Sequence, residues 1–383
     1  MINPLRQLEA LGQSVWLDDI DRGQLRSGLF EQLIAVDGLG GATGNPTIFE
    51  QAIDHDTAYD EQMQQLIAEG KGAQVIYETL AMTDVQQVAD FLRPTYERTD
   101  GQDGFVSIEV SPYLAHDAAG TLAEVRRFWQ TIERPNLLVK IPATPAGIPA
   151  IRQALAEGIN INITLIFSIE NYRQVAQAYL NALEERVAAG QDISRIASVA
   201  SFFVSRVDVL VDQLLENRAK AAGTNAQQLK DLEGKTAIAN ARLAYQEFKQ
   251  MFGGPRFAAL QKRGARVQRP LWASTSTKNP AYRDVLYVEE LIGPDTVNTM
   301  PPATLESFRE HGRVRLSIED QIQEAKVHLA ALAEAGISYN EVTRQLQEEG
   351  VQKFIDSCQT LFACIDRKRQ AQMESKLARE EKK

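Results

Sequence analysis

The amino-acid sequence predicts an α/β fold, a single (β/α)8 barrel with extra helical insertions and a helical C-terminal region. Eight short apolar runs rich in β-forming residues alternate with amphipathic stretches long enough to cross back over a parallel sheet. No repeat and no Pro/Ser-rich linker marks a second domain. A doubly wound open sheet uses the same alternation, so the eight runs favour the barrel and leave that alternative open.

The candidate strands follow in chain order, and the second has the weakest pattern because it is rich in glycine. They are SVWLDD (14–19), GLGGAT (38–43), FVSIEVS (105–111), NLLVKIP (136–142), INITLIFS (161–168), IASVASFF (196–203), RPLWAST (269–275) and DTVNTM (295–300). Helical insertions are expected over 55–95 and 208–252, and further helices from 303 to about 365. We therefore expect a barrel over 1–365 and a charged tail, helical or disordered, over 366–383.

The composition restricts the class of protein. The 383 residues are 44% hydrophobic and 24% charged, and the net charge of -10 argues against nucleic-acid or anionic-membrane partners. Cys358 and Cys364 are six residues apart in a predicted helix, so they point about 120° apart and pair poorly. With no signal peptide and no membrane-spanning run, the prediction is a cytoplasmic protein, whose oligomeric state stays open.

Polar residues interrupt the predicted strands. Lys140 stands in the middle of a run that is otherwise typical of a buried strand, Asp18 ends the first run and Glu109 lies in the third. Taken singly, Lys140 is explained by a side chain reaching water, Asp18 by a helix cap and Glu109 by an ion pair. The other strands contribute Thr43, Asn45, Asn162, Thr164 and Ser201, which taken singly are hydrogen-bonding residues of the core.

Together these side chains form one chemical set. Residues two apart on a strand share a face, as Asn162 and Thr164 do, and the carboxyl ends of barrel strands build active sites. A lysine among apolar walls has a lowered pKa and can attack a carbonyl to form a Schiff base. Carboxylates then move protons and amides hold hydroxyls, so the set predicts aldol chemistry on a polyol ketone.

Two further segments suit a phosphate group. STSTKNP (274–280) contains Lys278, and SFFVSR ends at Arg206. Hydroxyls, loop amides and a cation are the usual phosphate ligands of barrels. The structural alternatives are a helix-capping loop and a surface contact between Arg206 and Asp208.

Other motifs are weaker. GLGGATG (38–44) is a loose nucleotide-binding turn and supports a nicotinamide-dependent dehydrogenase as a rival interpretation, but Asn45-Pro46 interrupts it and no acidic strand end follows at the expected distance. The four histidines lack metal-ligand spacing, so no metal site is predicted.

Five stretches resemble the transaldolases of the longer bacterial type, over roughly residues 10–365. They are GATGNPTIFEQAI, LLVKIPATPAGIPAI, GININITLIFS, VASFFVSRVD and RPLWASTSTKNPAY with the following ELIGPDTVNTMPPATLE. The resemblance implies a TIM barrel and a transferase of the pentose phosphate pathway. Such an enzyme moves a dihydroxyacetone unit from sedoheptulose 7-phosphate to glyceraldehyde 3-phosphate, and it uses no metal or organic cofactor.

The resemblance also implies residue roles. Lys140 is the expected Schiff-base lysine, Asp18 the acid/base at the donor's C4 hydroxyl, and Glu109 the carboxylate that acts with Thr164 through a water molecule. The expected substrate-binding residues are Thr43, Asn45, Asn162, Ser201, Arg206 and Lys278.

The chain departs from the family pattern at two positions, and two other functions stay open. Gly44 stands where the family pattern GVTSNP has a hydroxyl residue, and Ser276 where STGTKNP has glycine. We expect these changes to affect loop flexibility and substrate affinity. A Schiff-base aldolase that releases free dihydroxyacetone and an inactive barrel that acts as a binding protein are the alternatives.

Overall fold

The eight predicted strands form one closed parallel barrel. In the computed structural model, which describes residues 3–221 and 226–380, the strands follow one another in chain order and β1 pairs with β8. They are β1 (Gln13–Leu17), β2 (Gly41–Thr43), β3 (Phe105–Glu109), β4 (Leu137–Pro142), β5 (Ile161–Ile166), β6 (Ser198–Phe203), β7 (Arg269–Ala273) and β8 (Thr296–Met300). The barrel is confirmed, and the open-sheet alternative is wrong because no strand of the barrel is left at an edge among the described residues.

Four of the eight predicted runs end later than the strands. β1, β3, β5 and β7 each stop two residues before the predicted end, and the residues that follow belong to the loops. Ser168, for example, caps the following helix by accepting a hydrogen bond from the backbone N–H of Asn171. β2 is the shortest strand, since Gly38 adopts a left-handed φ of 75° and the extended backbone begins only at Gly41.

Helices surround the barrel and occur in both predicted insertions. Their bounds are α1 (Pro4–Ala10), α2 (Arg22–Ser27), α3 (Leu29–Gln32), α4 (Pro46–His55), α5 (Asp60–Ala68), α6 (Ala73–Arg98), α7 (Ala118–Ile132), α8 (Gly147–Ala156), α9 (Ile169–Ala188), α10 (Ser205–Ala221), α11 (Ala226–Lys230), α12 (Thr236–Phe252), α13 (Pro255–Gln261), α14 (Leu286–Glu290), α15 (Pro302–His311), α16 (Ile322–Glu334) and α17 (Tyr339–Glu380). No helix within the described ranges is both long and apolar enough to span a bilayer.

The C-terminal helix α17 packs against α4 and α6, beside the carboxyl ends of the strands. Its backbone passes residue 365 without a break, and the division into a barrel and a tail stays a prediction. Cys358 and Cys364 are both buried on this helix, and both are free thiols. The cytoplasmic location likewise stays a prediction.

The inside of the barrel is lined with polar side chains, while the alternate residues pack against the helices. Ser107 on β3 and Asn162 on β5 form a hydrogen bond of 3.0 Å although β4 lies between their strands, so both side chains point inward. Their neighbours Val106, Ile108 and Ile163 belong to the buried apolar core. The alternation predicted for these strands is therefore present, with the polar set inside.

Candidate active site

Lys140 points into the barrel. Its side chain is 6% exposed, and its Nζ lies 3.1 Å from Oε2 of Glu109, which is 4% exposed. The two residues lie side by side on β4 and β3, and Asn162 lies beside Lys140 on β5. Burial raises the pKa of Glu109, and the charge of Lys140 opposes this rise. The interpretation of Lys140 as a lysine that reaches water is wrong.

Asp18 directly follows β1 and faces the same space. Its Oδ1 accepts a hydrogen bond of 2.7 Å from the Thr43 hydroxyl, which is itself 2.8 Å from the Thr299 hydroxyl. Burial raises the pKa of Asp18, although Lys140 and Thr43 both act to lower it. The helix-cap interpretation is wrong, since Asp21 caps α2 through the backbone N–H of Gln24.

A hydrogen-bond network among Ser107, Asn162 and Ser201 lies next to the site. Asn162 donates through Nδ2 to the Ser107 hydroxyl at 3.0 Å and accepts from the Ser201 hydroxyl at 2.7 Å. Because both ends of the amide are bonded, its orientation is determined by strands on either side. Asn45 follows β2, and its side-chain oxygen accepts from the backbone N–H groups of Thr47 and Ile48 at the start of α4.

Thr164 lies at an irregular point of β5. Its hydroxyl is buried and has no hydrogen-bond partner within the described residues. The next residue, Leu165, has a φ of 57°, which is strained for a side chain of this kind, and the strand pairing shifts there. A buried hydroxyl without a partner has a free donor and acceptor for a water molecule or a substrate.

Arg206 and Lys278 provide positive charge that acts on Asp18. Arg206 lies in the first turn of α10, with its guanidinium 5.3 Å from the Phe203 ring centre, and Lys278 donates to the Ser276 hydroxyl at 2.6 Å. Burial lowers the pKa of both cations. Arg206 is partly buried and Lys278 is exposed, and two positive charges at one site favour an anionic ligand.

Asp208 does not pair with Arg206, so the predicted surface contact is wrong. Asp208 is 1% exposed and accepts hydrogen bonds from the backbone N–H of Ala237 at 2.7 Å and from the Tyr287 hydroxyl at 2.8 Å. One turn later, Asp212 accepts from the Tyr282 hydroxyl at 2.7 Å. Asp208 and Asp212 both lie on α10, the helix that carries Arg206. This helix is therefore hydrogen-bonded to Tyr282 and Tyr287, which follow the Lys278 loop.

These side chains surround a cavity of about 420 Å³ at the carboxyl ends of the strands. Seven predicted site residues line it: Asp18, Thr43, Asn45, Lys140, Ser201, Arg206 and Lys278. Glu109, Asn162 and Thr164 do not line it, although all three are buried. Glu109 contacts Lys140, and Asn162 is hydrogen-bonded to Ser201, so each touches a residue that lines the cavity.

The cavity also contains residues that the sequence did not indicate. Asp19 and Gln51 line it, and so do Lys353 and Phe354 from α17. Burial raises the pKa of Asp19 to about 6. No local motif marks Lys353, because its place in the site depends on how a helix more than two hundred residues after Lys140 packs on the barrel.

Residues 15–365 match the family model described as Transaldolase/Fructose-6-phosphate aldolase. The chain belongs to this family. The transaldolase of Thermobifida fusca is 48% identical over 363 residues, which are 94% of this chain and 97% of that protein. The transaldolase of Acidothermus cellulolyticus is 48% identical over 96% of this chain and 97% of its own, and that of Trichodesmium erythraeum is 44% identical over the same shares.

The Gly44 departure from the transaldolase pattern has a packing reason. A Cβ at this buried position would lie 2.8 Å from Cε2 of Phe49 and 3.2 Å from Cδ1 of Ile20. In this transaldolase-family chain, Phe49 therefore occupies the space that a side chain at 44 requires. Ser276 is different, because its hydroxyl contacts Lys278 and lines the cavity.

Proposed function

We propose that this protein is a transaldolase that transfers a dihydroxyacetone unit from sedoheptulose 7-phosphate to glyceraldehyde 3-phosphate, giving erythrose 4-phosphate and fructose 6-phosphate. The observation that carries the proposal is the buried Lys140 beside Glu109, at a cavity that Arg206 and Lys278 also line. An amine in such a place serves covalent chemistry, and the cations match the phosphate of a sugar ester.

The first step in this mechanism is formation of the Schiff base. Neutral Lys140 adds through Nζ to the C2 carbonyl of the ketose, and the resulting carbinolamine loses water to give a protonated imine. Glu109, 3.1 Å from Nζ, supplies and removes the protons of this dehydration, with Thr164 acting through a water molecule. The hydroxyls of the three-carbon unit bind Asn45, next to Thr43 and Ser201, and Asn162 holds the Ser201 hydroxyl in place.

The second step is cleavage of the bond between C3 and C4. Asp18 takes the proton of the C4 hydroxyl, the C3–C4 electron pair moves into the imine, and an aldehyde leaves. The enamine of dihydroxyacetone stays on Lys140, and it attacks the aldehyde carbon of the acceptor in the reverse sequence. Because the protonated imine is the electron sink, these steps require no metal or organic cofactor.

The test is to trap the intermediate. The protein is incubated with fructose 6-phosphate, reduced with borohydride and mapped by peptide mass spectrometry. We expect a reduced three-carbon adduct on Lys140 and none in Lys140→Met, which also loses transfer activity. No adduct on Lys140 in a folded wild-type protein, or normal transfer by Lys140→Met, contradicts the proposal.

A second candidate is an aldolase that releases dihydroxyacetone to water, since the matching family model names both activities. The same lysine permits this reaction, in which water protonates the enamine and hydrolyses the imine. Turnover of fructose 6-phosphate with and without an aldehyde acceptor separates the two. Turnover that requires the acceptor supports the transaldolase, and steady release of dihydroxyacetone without acceptor supports the aldolase.

A further inference from the structure

Helix α17 passes over the mouth of the barrel and is attached to it on both sides of Lys353. Towards its start, Gln347 donates through Nε2 to the backbone carbonyls of Ala143 and Leu165, each at 3.0 Å. Further along, the hydroxyl of Ser357 lies 2.7 Å from that of Thr47 on α4. These attachments are about 15 Å apart along the helix, and Lys353 lies between them over the cavity.

Lys353 lies at the positively charged side of that cavity. Partial burial lowers its pKa, and the charges of Arg206 and Lys278 lower it further, so the three cations act on one another. Within the described ranges, none of the three forms an ion pair with a carboxylate within 4.0 Å. Glu349, one turn before Lys353, is the α17 carboxylate whose charge acts on Arg206.

Three cations from separate elements of the chain suit a phosphate ester better than a carboxylate. Arg206 comes from the start of α10, Lys278 from the loop after β7 and Lys353 from α17, so they approach the cavity from different directions. A phosphate monoester near neutral pH carries close to two negative charges on three acceptor oxygens. A bound dianion removes the mutual repulsion of the cations.

We infer that Lys353 is a third phosphate-binding residue, supplied by α17, and that the phosphate of the sugar substrate binds between Arg206, Lys278 and Lys353. The inference rests on the proposed function, because it names the residues that hold one end of its substrate. It makes α17 a part of the site that selects phosphorylated sugars over their free forms.

The test compares Lys353→Gln with Lys326→Gln. Both lysines are exposed, but Lys326 lies on α16 and does not line the cavity. Inorganic phosphate is titrated calorimetrically into each protein. We expect the Kd for phosphate to rise about 5- to 10-fold in Lys353→Gln and to stay at the wild-type value in Lys326→Gln. Lys353→Arg, which keeps the charge, is expected to restore binding to within about 2-fold.

Kinetics provide the second measurement. Lys353→Gln should raise the KM for fructose 6-phosphate by a similar factor, with kcat and the KM for unphosphorylated fructose unchanged. Equal phosphate affinity in Lys353→Gln and wild type overturns the inference, and so does a wild-type protein that binds no phosphate. A protein that binds phosphate but converts no ketose phosphate contradicts the proposed function instead, and the titration still decides the role of Lys353.

Discussion

Nζ of Lys140 lies 3.1 Å from Oε2 of Glu109, although the two residues belong to different strands and both side chains are buried. In a parallel barrel such a pair forms only where both side chains point inward at the same level. The contact places a carboxylate within proton-transfer distance of the amine, and burial raises the pKa of that carboxylate. In the proposed mechanism the pair combines a nucleophile with its own proton acceptor.

Replacing Glu109 by Gln should separate chemistry from phosphate binding. We expect Glu109→Gln to lower kcat by about 100- to 10,000-fold, because the amide cannot move protons during imine formation. The Kd for inorganic phosphate should not rise, since Arg206 and Lys278 are unchanged and the variant removes a negative charge that acts on Arg206. Glu124→Gln is the matched control, as Glu124 bonds to the backbone N–H of Ser111 and to Arg127. A Glu109→Gln protein with wild-type kcat contradicts the proposed role of this carboxylate.

Thr43→Val should change the pH dependence of bond cleavage. Asp18 acts as a carboxylate in the proposed mechanism, so the rate falls as the pH drops through its raised pKa. The hydrogen bond from Thr43 lowers this pKa, and its removal should move the acid limb to higher pH.

The control for this pH profile is Thr299→Val. Thr299 contacts Thr43 and makes no hydrogen bond to Asp18 within the described residues, so the Thr43–Asp18 bond survives and the acid limb should not move. The measurement is the rate of fructose 6-phosphate cleavage between pH 5 and 8. If the acid limb moves equally in both variants, or does not move in Thr43→Val, the hydrogen bond from Thr43 does not lower the pKa of Asp18.

Gln347→Ala should weaken the attachment of α17 to the barrel. Its Nε2 donates to the backbone carbonyls of Ala143 and Leu165. Ala143 directly follows β4, and Leu165 directly follows Thr164 on β5. We expect the free energy of unfolding to fall by about 1–3 kcal/mol, because buried carbonyls lose a donor. We expect kcat to fall several-fold as the ends of β4 and β5 loosen.

Urea denaturation and kcat measurements test this prediction. Gln345→Ala is the control, since Gln345 is exposed and bonds only to Glu349 among the described residues. Its effect on stability should stay within about 0.5 kcal/mol. If both variants behave alike in stability and turnover, the bonds of Gln347 do not position the strand ends.

Asp208→Asn should alter how stability depends on pH. Burial raises the pKa of Asp208 to about 7. At a pH between the pKa of Asp208 in the unfolded chain and 7, the folded protein therefore holds a proton at this site that the unfolded chain has lost. Stability from this residue is therefore present at low pH and lost as the pH rises towards 7, by at most about 1.4 kcal/mol per pH unit.

We expect the unfolding free energy of wild type to fall relative to that of Asp208→Asn as the pH rises from 5 to 8. Urea denaturation at each pH measures it. A pH-independent loss from the hydrogen bonds to Ala237 and Tyr287 is expected in addition. Parallel stability profiles for Asp208→Asn and wild type contradict the raised pKa.

The sequence by itself determined the barrel and most of the polar set around Lys140. Strand patterns have a period of two and are local, so inward polar residues such as Asn162 are visible without a structure. The carboxyl ends of parallel barrel strands meet at one end, and this rule alone brought Asp18, Lys140 and Arg206 together.

Only the tertiary structure decided which of these groups reach the cavity and what else joins them. Glu109 is paired in register with Lys140 but does not line the cavity, and Leu165 adopts a left-handed backbone that no pattern of β5 indicates. Lys353 enters the site through the packing of α17 against α4 and α6. Contacts between segments far apart in the chain depend on the summed packing of many side chains, and a local sequence pattern contains no record of that sum.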